Sequence, residues 1–229
     1  MVNIERSYPE PDKSDVLKRL HTDFKNKCYI CEYTPINSGM EVEHFVPQSC
    51  GKELKFQWDN LFFACRHCNI TTSTRYNTND DNKILNCTNS QHDVVNWIKY
   101  EYDINYEFTV RLTTNIELIT NTLDSRYKKI IDNTVKLLTE VYNGKSPAKT
   151  MKTSNLTMEA SNLRILLKDK ILYFKELLKK YKQTDSVNKK EILREKIETE
   201  LRKDSAFTAF KRWIIMKSRH YSAFADYFD

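Results

Sequence analysis

Residues 41–64 read EVEHFVPQSCGKELKFQWDNLFFA. They begin with alternating polar and apolar residues, continue with a mainly polar segment and end with an apolar run. The alternation over Met40–His44 predicts a strand with Glu41 and Glu43 on one face, and the apolar run 61–64 predicts a second, buried strand. Gly51 and its polar neighbours indicate the loop between the strands. A short helix is expected from residue 66 to about 75. The order is therefore strand, loop, strand, helix.

Two Cys-x2-Cys pairs, separated by 33 residues, enclose this stretch: Cys28, Cys31, Cys65 and Cys68. Each pair has the spacing at which a turn brings two thiolates to one zinc ion, and two pairs complete a tetrahedral site. Four thiolates leave no open position for a substrate, so the zinc would be structural. One alternative is four reduced, buried cysteines without metal, and another has His67 in place of a thiolate.

The remaining cysteines, Cys50 and Cys87, have no partner at ligand spacing and are expected to be ordinary small apolar residues. The first residues, MVNIERSYPEPDK, contain no apolar segment of the kind a secretory signal needs, and no apolar run approaches the roughly 20 residues that span a bilayer. The mean hydropathy of −0.66 agrees with the absence of a bilayer-spanning segment. A cytoplasmic, reducing location is therefore expected. In such a compartment paired cysteines bind metal more often than they form disulfides.

The residues Glu43-His44-Phe-Val-Pro47, Trp58-Asp-Asn60-Leu and Cys65-Arg-His-Cys68-Asn69, together with the first cysteine pair, resemble the HNH (ββα-metal, His-Me finger) nuclease motif with added zinc knuckles. The resemblance covers about 45 residues. It implies that His44 is the general base and that Asn60 fixes the loop between the strands. It also implies that Asn69 binds a divalent metal, with Glu43 in the place often held by a metal-binding Asp.

The chemistry of these residue types suits the implied roles. Imidazole is largely neutral at cellular pH and can take a proton from water, as expected of His44. Mg²⁺ or Mn²⁺ prefers oxygen ligands, which Glu43 and Asn69 offer. Because neighbours on a strand point to opposite faces, Glu43 and His44 converge only if the strand ends or bulges there, so Glu41 remains an alternative ligand. A basic residue common after the last Cys-Asn is missing, and Arg75 is a candidate phosphate contact in its place.

The chain has 37 Lys+Arg against 31 Asp+Glu, a net charge of +6, but the excess is uneven. Residues 145–229 carry net +9 (20 against 11) and residues 1–144 carry net −3 (17 against 20). The basic part either presents a solvated helix face or contacts nucleic-acid phosphates, with Lys179, Lys180 and Lys182 as candidates. The only three glycines are too far apart to form a phosphate-binding loop.

The rest of the chain predicts a helix over 14–27, strands over 97–102 and 106–110, and helices from there on, with His92 in a loop. Apolar stripes predict helices over 123–141, 163–181 and 192–201, followed by an aromatic tail. The fold class expected is α+β: a small zinc-stapled ββα-metal core followed by a mainly α-helical C-terminal region. We expect a nuclease domain over 1–110 and a helical region over 111–229 for partner docking, nucleic-acid binding or both.

Four sequence segments are similar to those of the PtuB-like HNH proteins: CYICE, VEHFVPQS, FQWDNLFFACRHCN and ILNCT. These proteins are effectors of Septu-type and some retron-linked anti-phage systems. The resemblance implies an ABC-type ATPase partner (PtuA-like) and, in some systems, a retron RNA–DNA and reverse transcriptase. The expected nucleic-acid substrate is DNA, and RNA (including tRNA) is an alternative that the sequence leaves open. Two other functions stay open: a catalytically silent zinc-finger binding module, and a partner-docking subunit.

Overall fold

The computed structural model describes residues 1–4, 16–34, 39–72, 75–103, 109–115, 125–144 and 153–228. No helix in these ranges is long and apolar enough to cross a membrane. The helices are Val16–Asp23 (α1), Arg66–Thr72 (α2), Ser125–Asn143 (α3), Thr153–Gln183 (α4), Val187–Leu201 (α5) and Thr208–Met216 (α6). The strands are Met40–His44 (β1), Leu61–Cys65 (β2), Ile98–Asp103 (β3) and Thr109–Thr114 (β4).

The first sheet is the antiparallel pair β1–β2, with Met40 opposite Cys65 and His44 opposite Leu61. Between the strands the chain forms three short 3₁₀ turns rather than an open loop. α2 begins directly after β2 and packs on both strands. The predicted order of strand, loop, strand and helix is confirmed.

The second sheet is the hairpin β3–β4, in which Ile98 pairs with Thr114 and Asp103 with Thr109. The first strand was predicted to within a residue, whereas β4 extends four residues beyond the expected end of its strand. The predicted turn at 103–105 and the start of the second strand fall largely outside the described residues. Asn115 closes the base of the hairpin, since its N–H donates to the Trp97 carbonyl at 2.9 Å.

The helices follow the apolar stripes of the sequence. α3 ends where expected, at Gly144, whose φ of 70° lies in the left-handed region that favours glycine. α4 buries Leu163, Leu167, Ile171 and Phe174 along one face. α1 is shorter than predicted at its C-terminal end, because Lys25 and Asn26 have positive φ after it. The mixed α/β fold with a helical C-terminal region is confirmed.

The main hydrophobic core is continuous from the first sheet to α6. Phe210 of α6 packs edge-on against Tyr100 of β3 and Tyr142 of α3, with ring centroids 5.2 and 5.4 Å away. A smaller core joins α4, α5 and the C-terminal aromatic residues. The expected boundary after residue 110 falls inside β4. The division into two domains stays a prediction.

Candidate metal and active site

The four paired cysteines, Cys28, Cys31, Cys65 and Cys68, form one buried cluster. Their sulfur atoms all lie within 4.8 Å of one another, and Cys31 Sγ is 3.8 Å from Cys65 Sγ. A tetrahedral zinc ion with bonds of about 2.3 Å holds its ligand sulfurs about 3.8 Å apart. The cluster therefore fits one structural zinc ion, as the spacing predicted.

Local backbone geometry brings the two pairs together. In the first knuckle, Glu32 N–H donates to the Cys28 carbonyl at 2.9 Å, and Cys28 N–H donates to the Tyr33 carbonyl at 3.0 Å. Glu32 takes a φ of 57°, which turns the chain sharply after Cys31. In the second knuckle, β2 ends at Cys65, and Cys68 lies in the first turn of α2. Each knuckle is thus a tight turn held by backbone bonds.

The other candidate ligands are not in the cluster. His67 Nε2 lies 2.8 Å from the Val141 carbonyl of α3, so this ring anchors α2 to α3 instead of replacing a thiolate. Cys50 is exposed and Cys87 is buried elsewhere in the core, as expected for cysteines that do not bind the zinc.

His44 is the last residue of β1 and lines an open groove with Glu43 and Asn69. Its Nε2 lies 3.1 Å from the Lys55 carbonyl oxygen, which can only accept a hydrogen bond. Nε2 is therefore assigned the proton, and Nδ1 keeps its basic lone pair. The amide nitrogen of Gln48 lies 3.1 Å from Nδ1 and can donate to it. Sequence reasoning missed both contacts, because Lys55 acts through its backbone.

Asn60 fixes the loop between the two strands. Its Oδ1 accepts from Val46 N–H at 2.7 Å, and its Nδ2 donates to the carbonyls of Val46 at 2.9 Å and Leu54 at 3.2 Å. The side chain is buried. Since Leu54 directly precedes Lys55, the same contacts hold the carbonyl that faces His44. This is the loop position that the resemblance implied for Asn60.

Glu43 and Glu41 face α2 from the same side of β1. Thr72 donates its hydroxyl proton to Glu43 Oε1, and Asn69 Nδ2 donates to Glu41 Oε2 at 2.6 Å. Burial raises the pKa of Glu43 to about 8, and the carboxylate of Glu41 adds to the rise. The strand ends at His44, which is how neighbours on it reach one groove. Thr72 was missed because it reads only as a weak helix former.

The carboxyl of Glu43 fits the neighbourhood of a divalent cation. Its Oε2 is buried and has no hydrogen-bond partner among the described residues. A buried acceptor without a partner is costly, and a cation would satisfy it. Asn69 uses its amide nitrogen toward Glu41 and so leaves its oxygen available as a ligand. Glu41, Glu43 and Asn69 together are an oxygen-rich set that suits Mg²⁺ or Mn²⁺.

The candidate nucleic-acid contacts lie in two different environments. Arg75 bonds to the Glu140 carboxylate at 2.7 Å and to the Thr71 carbonyl, so its guanidinium links α2 to α3. It faces a protein carboxylate, and a phosphate would have to compete for it. Lys179, Lys180 and Lys182 are exposed near the C-terminal end of α4, and Lys180 lies 3.5 Å from Glu176. The roles of all four side chains stay predictions.

Residues 28–75 match the family model for the HNH endonuclease. The match begins at the first zinc-knuckle cysteine and ends just after α2, so it contains both knuckles, the first sheet and the groove at His44. This part of the chain is therefore similar to the HNH endonuclease domain, and the four-cysteine cluster lies inside the matched residues. No curated protein and no solved structure matches the chain.

Proposed function

We propose that the chain is a metal-dependent HNH endonuclease that hydrolyses phosphodiester bonds in nucleic acid. The observation that carries the proposal is the setting of His44 inside the HNH match. The Lys55 carbonyl accepts a hydrogen bond from Nε2–H, and the other ring nitrogen, Nδ1, faces the side chain of Gln48 in the groove. A histidine held in this tautomer can act as a general base.

In this proposal Gln48 moves off His44 Nδ1 to admit a water molecule, and Nδ1 takes a proton from this water as its oxygen attacks phosphorus. The P–O bond to the leaving nucleotide oxygen breaks, and that oxygen takes a proton from solvent. Asn60 keeps the loop and its carbonyl in place for His44. A divalent cation held by Glu43 and Asn69, or by Glu41 in place of Glu43, would supply positive charge to the phosphate oxygens. Cys28, Cys31, Cys65 and Cys68 would hold a structural zinc ion, Zn²⁺, which would stabilise the base of the site and leave no open coordination position for substrate.

The proposal is tested with His44→Ala, assayed on DNA and RNA with Mg²⁺, with Mn²⁺ and with a chelator. General bases contribute about 10²–10⁴-fold, so cleavage is expected to fall by that factor while zinc content stays at one ion per chain. His21→Ala is the matched control, since His21 is exposed on α1, away from the groove. Wild-type cleavage by His44→Ala would refute the assignment.

The second candidate function is docking, and a surface of α4 favours it. Five large apolar side chains are exposed on this helix, on the side opposite its buried face: Met158, Ile165, Leu166, Leu172 and Tyr173. One apolar side of this helix is buried within the chain. The second, exposed apolar side is typical of a surface that binds another protein. The partner we propose is an ABC-type ATPase of the PtuA kind, with the nuclease as effector of a Septu-type or retron-linked anti-phage system acting in the cytoplasm.

Docking is tested by co-purification with the product of the neighbouring gene. Ile165→Asp with Leu172→Asp is expected to abolish co-purification, and Lys196→Asp, at an exposed position on α5, should leave it intact. Cleavage assays with and without ATP then separate an effector from a silent subunit. Binding of nucleic acid without any metal-dependent cleavage, alone or with the ATPase, would favour the catalytically silent binding module.

The basic end of α4 supports a further proposal, that its lysines contact nucleic-acid phosphates. Lys179→Glu, Lys180→Glu and Lys182→Glu combined should weaken binding and flatten its salt dependence, because each lost phosphate contact reduces counterion release. Lys189→Glu, Lys190→Glu and Lys196→Glu combined, at exposed positions of α5, are the charge-matched comparison. Identical salt titrations for wild type and the triple variant would show that this surface is only a solvated helix face.

A further inference from the structure

A second groove lies between β3, β4, α4 and α6, and it shares no lining residue with the groove at His44. Its walls carry three aromatic side chains, from Tyr100, Tyr102 and Trp213, and three basic ones, from Arg111, Lys175 and Lys217. Concave sites that combine aromatic walls with a few polar groups are the usual form of small-ligand sites. The proposed endonuclease function uses none of these residues.

Two of the aromatic rings in this groove make cation–π contacts with lysine side chains. Lys175 Nζ lies 4.9 Å from the ring centroid of Tyr102, and Lys217 Nζ lies 5.5 Å from that of Trp213. Lysine placed over an aromatic face is attracted weakly and exchanges readily at an exposed site. A planar ligand that stacks on these rings would keep the two ammonium groups at its edge.

The indole N–H of Trp213 is an unpaired donor. Trp213 is 8% exposed, and its Nε1 has no hydrogen-bond partner among the described residues. Buried N–H groups are nearly always paired, so this one indicates an acceptor other than the described residues. An oxygen or ring nitrogen of a ligand in the groove would satisfy it.

The charges limit what the ligand can carry. Glu101 and Asp103 also line the groove, and Lys217 Nζ bonds to Glu101. Arg111 stands opposite Glu101 in the β3–β4 register. Three cations against two carboxylates leave a net charge of about +1, which suits one phosphate and disfavours a triphosphate. The carboxylates can also accept hydrogen bonds from an exocyclic amine.

We propose that this groove binds one nucleotide unit, an aromatic base with a single phosphate, either as a free mononucleotide or as one unit of a single strand. The base stacks between Tyr102 and Trp213, the indole N–H donates to it, and Lys175 and Arg111 hold the phosphate. Duplex nucleic acid is excluded as a ligand, since its bases are already stacked and cannot expose a face. The site goes beyond the proposed cleavage reaction, because it binds and does not cut.

The test uses the full chain carrying His44→Ala, titrated with AMP and with a short single-stranded oligonucleotide of adenylates. Binding is followed by calorimetry and by quenching of tryptophan fluorescence. We expect saturable binding of AMP that Lys175→Glu and Arg111→Glu each weaken by about tenfold or more. Lys168→Glu makes the same charge change on α4 outside the groove and should leave it unchanged. Trp213→Phe keeps a ring but removes the N–H, so it should weaken binding without unfolding the chain.

The two arms distinguish the sources of the ligand. An oligonucleotide that competes with AMP identifies a unit of a single strand, and binding of AMP alone identifies a free mononucleotide. Absence of saturable binding in both arms would overturn the proposal, as would equal losses in Lys168→Glu. Displacement of AMP by polyglutamate as readily as by unlabelled AMP would also overturn it, because the groove would then be a general anion surface. A cleavage assay on Lys175→Glu separates this result from the proposed function, whose activity should stay unchanged.

Discussion

At the scale of single residues, the Asn60 side chain makes three hydrogen bonds to the backbone of the loop between β1 and β2. Asn60→Asp keeps one acceptor but replaces the amide donor that bonds to the carbonyls of Val46 and Leu54. Opposing oxygens would then be buried together, which we expect to lower the free energy of unfolding by about 1–3 kcal/mol and to abolish cleavage. Urea denaturation and a cleavage assay measure the two effects. The exposed neighbour provides the control, Asp59→Asn, and similar losses in both variants would contradict the prediction.

His92 is a second residue whose role can be tested, here through pH. Burial lowers the pKa of His92, and its Nδ1 accepts from Asn86 N–H at 2.9 Å. The unfolded chain therefore takes up a proton at about pH 6.5, before the folded chain does. Stability from neutral His92 is present above that pH and is lost as the pH falls through it.

His92→Asn keeps an acceptor for the Asn86 N–H but cannot titrate. The melting temperature of the wild type is expected to fall more steeply between about pH 7 and about pH 5 than that of the variant. Differential scanning fluorimetry at both values measures this, with His21→Asn as the comparison at an exposed histidine. Parallel curves for wild type and His92→Asn would show that acid destabilisation arises elsewhere.

At the scale of elements, the first zinc knuckle supports the start of α6. Glu32, which follows the knuckle cysteine Cys31, accepts Phe207 N–H on its carbonyl at 3.2 Å and Ala209 N–H on its Oε2 at 2.8 Å. Tyr142 of α3 donates its hydroxyl proton to the Cys31 carbonyl at 2.7 Å. A helix 177 residues away along the chain is therefore anchored by the same turn that carries Cys28 and Cys31.

Zinc removal should therefore release α6 as well as the knuckles. After chelation, amide hydrogen exchange is expected to rise in residues 28–34 and in the first turn of α6, because the Glu32 contacts depend on the knuckle turn. α5 serves as the internal control, since it packs chiefly against α4. Exchange that rises only at the cysteines would show that the knuckle and α6 are independent.

The sequence could predict local elements and little of what joins them. β1 was predicted to the residue, because alternation and the cysteine spacing are properties of neighbouring residues. The four-cysteine cluster was predicted for the same reason. The bond between Arg75 and Glu140 joins positions 65 residues apart, and no local pattern records such a pair. The contact of Thr72 with Glu43 depends on how α2 packs against β1, which the sequence alone does not specify.

At the scale of the whole molecule, buried charges join the N-terminal part of the chain to the C-terminal helices. Lys27 is 2% exposed, and its Nζ donates to the Ser205 carbonyl at 2.9 Å and to Thr208 Oγ1 at 3.2 Å. Glu32, on the other side of the first knuckle, bonds to the start of α6. The acidic front of the chain and its basic helical end are therefore joined by a polar network inside one continuous core.

A chain that ends at Gly144 tests whether these contacts with the C-terminal helices stabilise the N-terminal part. It lacks α4, α5 and α6, so Lys27 and Glu32 lose their helix partners and Tyr142 loses its contact with Phe210. Removing these helices exposes the apolar surfaces of Tyr100 and Tyr142 that pack against Phe210, so we expect the shortened chain to be much less stable in urea and to aggregate. Co-expression of residues 1–144 with residues 153–229 as a separate chain should restore stability, because packing rather than chain linkage supplies it. If residues 1–144 alone unfold with the midpoint of the full chain, the nuclease domain is independent of the helices, and docking can be separated from chemistry by truncation.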